Sequence, residues 1–323
     1  MKINHNFREL LDKCRLPVMI APMFLVSGPD IVVAAGEAGV LGAFPAPNAR
    51  NIDVLNEWMS KTEQAAQGKH WALNMIVHRS YERFSKELEL VEHYRPSIVS
   101  TALGSPRRVL DVVHGYGGIV MADVTTPTFA RKAIDAGADV LVLVTNGAGG
   151  HTGFYHPFAL VDKIRKFWSG PLGLAGAVSR GKDIRAAQML GADFVVMGTR
   201  FLATKESLSS VAYREMLVDS SIEDLVASKA VSGVMANWLR RSLEAQGGFL
   251  DEPQAQATEI NFAGDISVAP KAWKDVWSAG HGVGAITKVQ SVAEVVDQLY
   301  DEYLLCLRDE SIALASLLGE RRA

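Results

Sequence analysis

The segment Asn146-Gly147-Ala148-Gly149-Gly150-His151-Thr152-Gly153 places four glycines within seven residues around one histidine. Ordering so many glycines is costly in backbone entropy. The cost is understandable where backbone must approach a flat or bulky ligand closely, and Gly149 and Gly150 are the positions for it. His151 has the residue type for a base, or a neutral hydrogen-bond donor, near neutral pH. A second constellation follows in Ala175-Gly176-Ala177-Val178-Ser179-Arg180-Gly181 and Met197-Gly198-Thr199-Arg200. Small residues at Gly176, Ala177, Gly198 and Thr199 keep backbone N–H groups accessible, and a short helix N-terminus would assist them. Ser179 and Thr199 would add hydroxyl donors. The ligand expected there is a phosphorylated cofactor or substrate.

Other candidates sit at the ends of short apolar runs. Asn74 offers a carboxamide that would bond a ring edge or cap a helix. Met23, beside Pro22, would lay its backbone against a ring or serve as a core methionine. Asp123 is the one carboxylate at these ends. It is a ligand group, a support for His151 or a structural carboxylate. His78, His93 and His114 fall on helical or turn segments, His156 is placed near a pocket rim, and His281 lies in a Gly-rich turn. The paired carboxylates of a glycosidase are absent, as is a metal-ligand cluster.

The elements that must position these groups follow from periodicity. Eight short apolar runs, Pro17–Ala21, Val40–Phe44, Trp71–Val77, Ser97–Ala102, Gly118–Asp123, Val140–Thr145, Leu172–Gly176 and Phe194–Gly198, read as strands buried on both faces. Amphipathic stretches fill most gaps, from Pro29–Ala38 to Lys182–Leu190, and several end in Gly before the next strand. Eight strand–helix units predict an α/β fold, a (β/α)8 TIM barrel, whose active site lies at the C-terminal strand ends. A doubly wound sheet would want a GxGxxG after strand one, which Pro22–Gly28 lacks. The expected division is a barrel over residues 15–204, a mainly helical insert at 205–275, a return to the barrel at 276–305 and a tail at 306–323. Helices are expected at Val211–Val218, Ile222–Ala227, Asn237–Ala245 and Val289–Tyr303, and a loop at Gly247–Ala257. The tail beyond Tyr303 would pack on the barrel or on a neighbouring subunit of a homodimer.

Composition narrows the partners. Of 323 residues, 48% are hydrophobic and 21% charged, which excludes a disordered or collagenous chain. The net charge of -3 and the lack of basic tracts argue against nucleic acid. Cys14 and Cys306, the two cysteines, form no CxxC pair, so a disulfide framework is not expected. No apolar run reaches the roughly 18–20 residues that span a bilayer. No secretory h-region precedes Leu16, and a reduced, cytoplasmic compartment is the expectation.

Taken in order, Ala21-Pro22-Met23, the Asn146–Gly153 loop, Ala175–Gly181 with Ala186–Asp193, and Gly198-Thr199-Arg200-Phe201-Leu202 resemble the nitronate monooxygenase family. Ser232-Gly233, Asn237-Trp238-Leu239-Arg240 and Trp277–Gly284 extend the resemblance over about residues 15–305. The resemblance implies non-covalent FMN at the barrel top. Its phosphate would sit on Gly176, Ala177, Gly198 and Thr199, and its ring against Pro22, Met23 and Asn74, with His151 as the active-site histidine. The implied reaction oxidises alkyl nitronates with O2 to a carbonyl compound and nitrite. The alternatives are an NAD(P)H-dependent flavin reductase acting on a quinone or enoyl thioester, and a non-redox phosphate-binding lyase or isomerase. The chain departs from the family pattern at Gly147, where an acid is frequent, and at His281, where Gln is common. It departs again at Gly42-Ala43-Phe44-Pro45-Ala46-Pro47, where Phe44, Pro45 and Pro47 would narrow or reshape the pocket beside the flavin.

Overall fold

The computed structural model describes residues 5–229, 231–245 and 276–320. The expected loop at Gly247–Ala257 and the rest of the expected insert from 246 to 275 lie outside the described residues. Helix α1 (His5–Asp12) precedes strand β1 (Val18–Ile20), which is followed by α2 (Pro29–Ala38) and β2 (Leu41–Pro45). The alternation continues through α3 (Ile52–Ala66), β3 (Ala72–Ile76), α4 (Phe84–Tyr94), β4 (Ile98–Ala102), α5 (Arg107–Gly115) and β5 (Ile119–Val124). Then come α6 (Pro127–Ala136), β6 (Val140–Val144), a two-residue β7 (Gly150–His151), α7 (Pro157–Arg165), β8 (Leu172–Ala175) and α8 (Gly181–Leu190). After β9 (Phe194–Met197) and the one-turn α9 (Thr199–Leu202), the chain forms α10 (Val211–Val218), β10 (Leu225–Ser228), β11 (Ala236–Leu239) and α11 (Arg240–Ala245). A long α12 (Val292–Glu320) follows.

Strands β1-β2-β3-β4-β5-β6-β8-β9 close into a parallel barrel, with β1 pairing β9 through Val18↔Val195. The expected (β/α)8 architecture is therefore the observed one. Each strand is too short and too apolar to stand alone, and helices cover its outer face. The glycines ahead of β2, β6 and β9 turn left-handed as expected: Gly39, Gly137 and Gly191 have φ of 83°, 102° and 109°.

Two apolar layers result. The outer layer, between strands and helices, holds Phe44, Trp71, Leu141 and Phe201 among many others. The inner layer is sealed at the N-terminal end of the barrel by α1. Phe7 packs there on Phe194 at 5.0 Å, above Met19, Met121 and Val142. That plug leaves the C-terminal mouth as the open end, which is where function sits in such barrels.

The stretch after α9 departs from expectation. Helix α10 matches the expected Val211–Val218. Ile222–Asp224 is a single 3-10 turn, and the following Leu225–Ser228 is a strand, β10, in place of a helix to Ala227. Asn237–Leu239 also belongs to a strand, with helix only from Arg240. Strands β10, β11 and β7 form a small antiparallel sheet. The two segments read as helical in sequence because each is four residues long and adjoins charged residues, while the pairing that makes them strands is non-local.

Helix α12 returns to the barrel between α8 and α2 as the eighth covering helix. Tyr303 Oη donates to Gln188 (2.9 Å), and Arg185 Nε donates to the Glu310 carboxylate (2.9 Å). Val292 to Leu299 are buried on one face, whereas residues 308–318 are exposed. Among the described residues the tail continues α12 to Glu320, and it leaves the barrel surface beyond Glu310. No helix among the described residues is long and apolar enough to cross a membrane.

Candidate active site

A cavity of about 550 Å³ opens at the C-terminal mouth of the barrel. Pro22 and Met23 line it after β1, Asn74 on β3, Asp123 on β5, and Gly149, Gly150 and His151 beyond β6. Gly176 and Ala177 line it after β8, and Gly198 and Thr199 after β9. The structure thus brings these eleven residues together around one cavity. His281 donates its backbone N–H to Gly147 O (3.0 Å), but the residue does not line the cavity. His156 caps α7, its Nδ1 accepting from Phe158 N at 3.3 Å. Phe44, Pro45 and Pro47 do not line the cavity. Phe44 turns outward into the helical layer, stacked at 6.0 Å on Trp71 and edge-on to Trp58.

The loop after β6 is held by three neighbours. Thr145 Oγ1 donates to Ala175 O (2.9 Å), and Thr152 Oγ1 reaches back to Thr145 O (2.8 Å). Buried Asn237 on β11 donates both carboxamide hydrogens, to Asn146 O (3.0 Å) and Ala148 O (2.7 Å). Pairing of Ala236 with His151 and of Asn237 with Gly150 then sets the histidine's direction. The glycines answer to these contacts. A Cβ on Gly149 would lie 2.6 Å from Gly280 N, and one on Gly176 would overlap Thr145 Oγ1. Both glycines line the cavity, and both also permit a close approach within the protein, between the loops after β6 and β8 and residues 279–282.

Two further devices were not visible in sequence. The loop after β1 is fixed by Asn48, whose Nδ2 donates to Met23 O (2.9 Å) and Ser27 O (2.8 Å), while its Oδ1 accepts from Leu25 N (2.8 Å). Asn48 follows Pro45-Ala46-Pro47 directly, and that turn is the only local signal. At the cavity wall, Tyr213 stacks on Trp277 at 5.0 Å and 14° and donates its hydroxyl to Ser278 O.

The phosphate-type corner differs in detail from expectation. Ala177, in a left-handed conformation (φ 59°), spends its N–H on Gly147 O (3.1 Å). The amides of Ser179 and Arg180 are spent on Asp183 of α8 (2.9 Å each). Thr199 Oγ1 accepts from Gly280 N (2.8 Å), which leaves its own hydrogen to donate. Ser179 Oγ is buried at the cavity and has no hydrogen-bond partner among the described residues. Gly282 makes room for it, since a Cβ there would overlap that hydroxyl. An orphaned buried hydroxyl in a cradle that only glycine permits fits a ligand oxygen.

The electrostatics are sparse. The described lining includes neither Lys nor Arg. The His151 ring is accessible from the cavity, yet the surrounding walls hold it below the ordinary imidazole value by burial, so it is neutral at pH 7. Burial pushes the Asp123 carboxyl up to about 7, against a weak opposing hydrogen bond from Ser100 Oγ at 3.5 Å. Ser100 in turn accepts from Asn74 Nδ2 at 3.2 Å.

Residues 44–302 match the family model described as nitronate monooxygenase. The chain belongs to that family. It is accordingly an enzyme, a flavin-dependent oxidoreductase, and the non-redox lyase or isomerase reading falls. The nitronate monooxygenase of Paraburkholderia phytofirmans is 27% identical over 337 residues, 88% of this chain and 92% of the relative. A Mycobacterium tuberculosis protein described as a monooxygenase is 26% identical over 245 residues; the match spans 71% of this chain and 64% of that protein's length. FabK from Thermotoga maritima shares the fold, with a TM-score of 0.79 at 24% identity, over 96% of this chain and 99% of that one.

Proposed function

We propose that the chain is an FMN-dependent nitronate monooxygenase, oxidising an alkyl nitronate with O2 to a carbonyl compound and nitrite. The observation that supports it is the convergence of His151, the Pro22–Met23 backbone, Asn74 and the Ser179–Thr199 corner on one cavity. In this reading Ser179 and Thr199 hydroxyls and the Gly198 backbone hold the FMN phosphate without a fixed cation, and Gly176 and Ala177 shape the wall beside it. Pro22, Met23 and Asn74 hold the ring. FMN supplies the electron-accepting and oxygen-activating chemistry when bound.

The chain's own part is positioning and proton handling. Neutral His151 offers the cavity a ring nitrogen, which serves as a hydrogen-bond donor to a nitro oxygen or as the acceptor of the α-proton of a neutral nitroalkane. The antiparallel pairing with β11 aims it. The Tyr213–Trp277 stack and Val276 wall the cavity with apolar surface, limiting water at the reacting centre. The partners are then a small-molecule substrate and O2. His151→Ala is expected to retain FMN absorbance and to lose about 10²–10⁴-fold in turnover. Full turnover in that variant overturns the assignment.

The second reading is an NAD(P)H-dependent flavin reductase acting on a quinone or enoyl thioester. The flat Tyr213–Trp277 stack at the cavity wall favours it, because such a wall suits a planar ring. Anaerobic reduction of the flavin by NADH or NADPH separates the two.

A further inference from the structure

Asp123 differs from the other carboxylates packed against the barrel. Asp193 accepts from Arg165 Nη2 (2.6 Å) and from Leu172 N (2.8 Å). Asp139 accepts from His114 (2.8 Å) and Val120 N (2.8 Å), and Asp183 takes two backbone amides. Each of these negative charges is met by donors. Asp123 has one long hydrogen bond, from Ser100 Oγ at 3.5 Å, and faces the cavity. Its strand neighbours are uncharged: Ser100 and Asn74 on one side, Val142 and Val144 of β6 on the other. The only other ionisable side chains on the described lining are His151 and Tyr213. His151 is neutral at and above pH 7, and burial raises the Tyr213 phenol, so neither carries charge there.

An anion entering such a cavity finds no fixed cation among the described lining residues. It would meet a poorly solvated carboxylate if Asp123 were ionised. The mismatch disappears if the carboxyl holds a proton, because a carboxylic acid is then a hydrogen-bond donor. We propose that Asp123 is the ligand-facing proton carrier of the cavity, so that the site takes up an anionic ligand together with one proton. Proton and anion enter as a neutral pair, and the acid's O–H points to the anion in the position a lysine or arginine would otherwise hold. The carboxyl sits near 7 in the free protein, so the uptake is easy below neutrality and increasingly unfavourable above it. This deepens the proposed function by giving its anionic substrate a charge partner. It takes from that reading only that the ligand is an anion that reaches this cavity.

The test is isothermal calorimetry of the purified flavin-loaded protein with nitrate, a planar anion that does not titrate between pH 5.5 and 9. Titrations at pH 8 in two buffers of different ionisation enthalpy count the protons taken up. The expected result is about one proton per nitrate, with Kd rising about tenfold per pH unit above about 7. Asp123→Asn keeps the shape and a donor but cannot titrate. Its nitrate Kd is expected to be flat from pH 6 to 9, with no proton uptake. His151→Asn should keep the wild-type pH slope. Zero proton uptake by the wild type overturns the proposal, and so does an unchanged slope in Asp123→Asn or no nitrate binding at pH 6. The buffer comparison on the wild type decides the matter even if the variant folds poorly. Failure of nitronate to reduce the flavin would reject the substrate assignment instead, and leaves the proton count standing.

Discussion

Single residues set the chemistry by what they lack as much as by what they touch. Asp123 lacks donors, and the consequence extends to stability. Its folded value near 7 lies above the roughly 3.9 of an unfolded aspartate. The folded state therefore binds the proton more tightly. The stability present below about pH 4 is lost progressively as pH rises to about 7, and the loss is complete above that. Asp123→Asn should thus stabilise the protein, by nothing near pH 4 and by on the order of 1–3 kcal/mol at pH 8. Denaturant melts at the two pH values check this. An equal gain at both would mean that the carboxyl's ionisation is not the cause. His151 behaves in the opposite sense, being held neutral by its walls.

Elements decide where those residues point. The His151 loop is aimed by a two-residue strand pairing with β11, and Asn237 bridges two loop carbonyls from 91 and 89 residues away in sequence. Asn237→Ala leaves both carbonyls without that donor. It should cost about 1–3 kcal/mol in stability. It should also lower kcat far more than it raises KM, since Asn237 acts on the His151 loop and donates to neither Ser179 nor Thr199. Steady-state kinetics beside a denaturant melt distinguish this from simple destabilisation. Such long-range devices mark the limit of sequence reading. The eight barrel strands were legible because each is a continuous apolar run between helical periods, and the strand ends carrying Asn74, Asp123, His151 and Thr199 followed from them. Strands β10 and β11 were not, because four residues show no decisive period, and β7, the second partner of β11, is two residues long. Asn48 and Asn237 were illegible as supports for the same reason. Neither has a local pattern, and each acts on a loop brought near only by barrel closure.

At the scale of the molecule, the chain is one sealed-bottom barrel whose open end collects residues from seven of its eight strands or the loops that follow them. The small sheet and residues 276–282 lie over that end, and α12 completes the outer ring before leaving it. Among the described residues, ending the chain after Leu307 removes only exposed helix and the Arg185–Glu310 ion pair. It should cost about 0–1 kcal/mol, leaving the melting transition and flavin content near wild type. A collapse of either would show that the exposed half of α12 supports the fold. In the proposed reaction this mouth oxidises a nitronate directly. The most direct test is anaerobic mixing of the flavin-loaded protein with an alkyl nitronate, with NADH and with NADPH, followed at the flavin absorbance. Bleaching by the nitronate alone is the predicted result. Rapid bleaching by NADH or NADPH, with none by the nitronate, would contradict it.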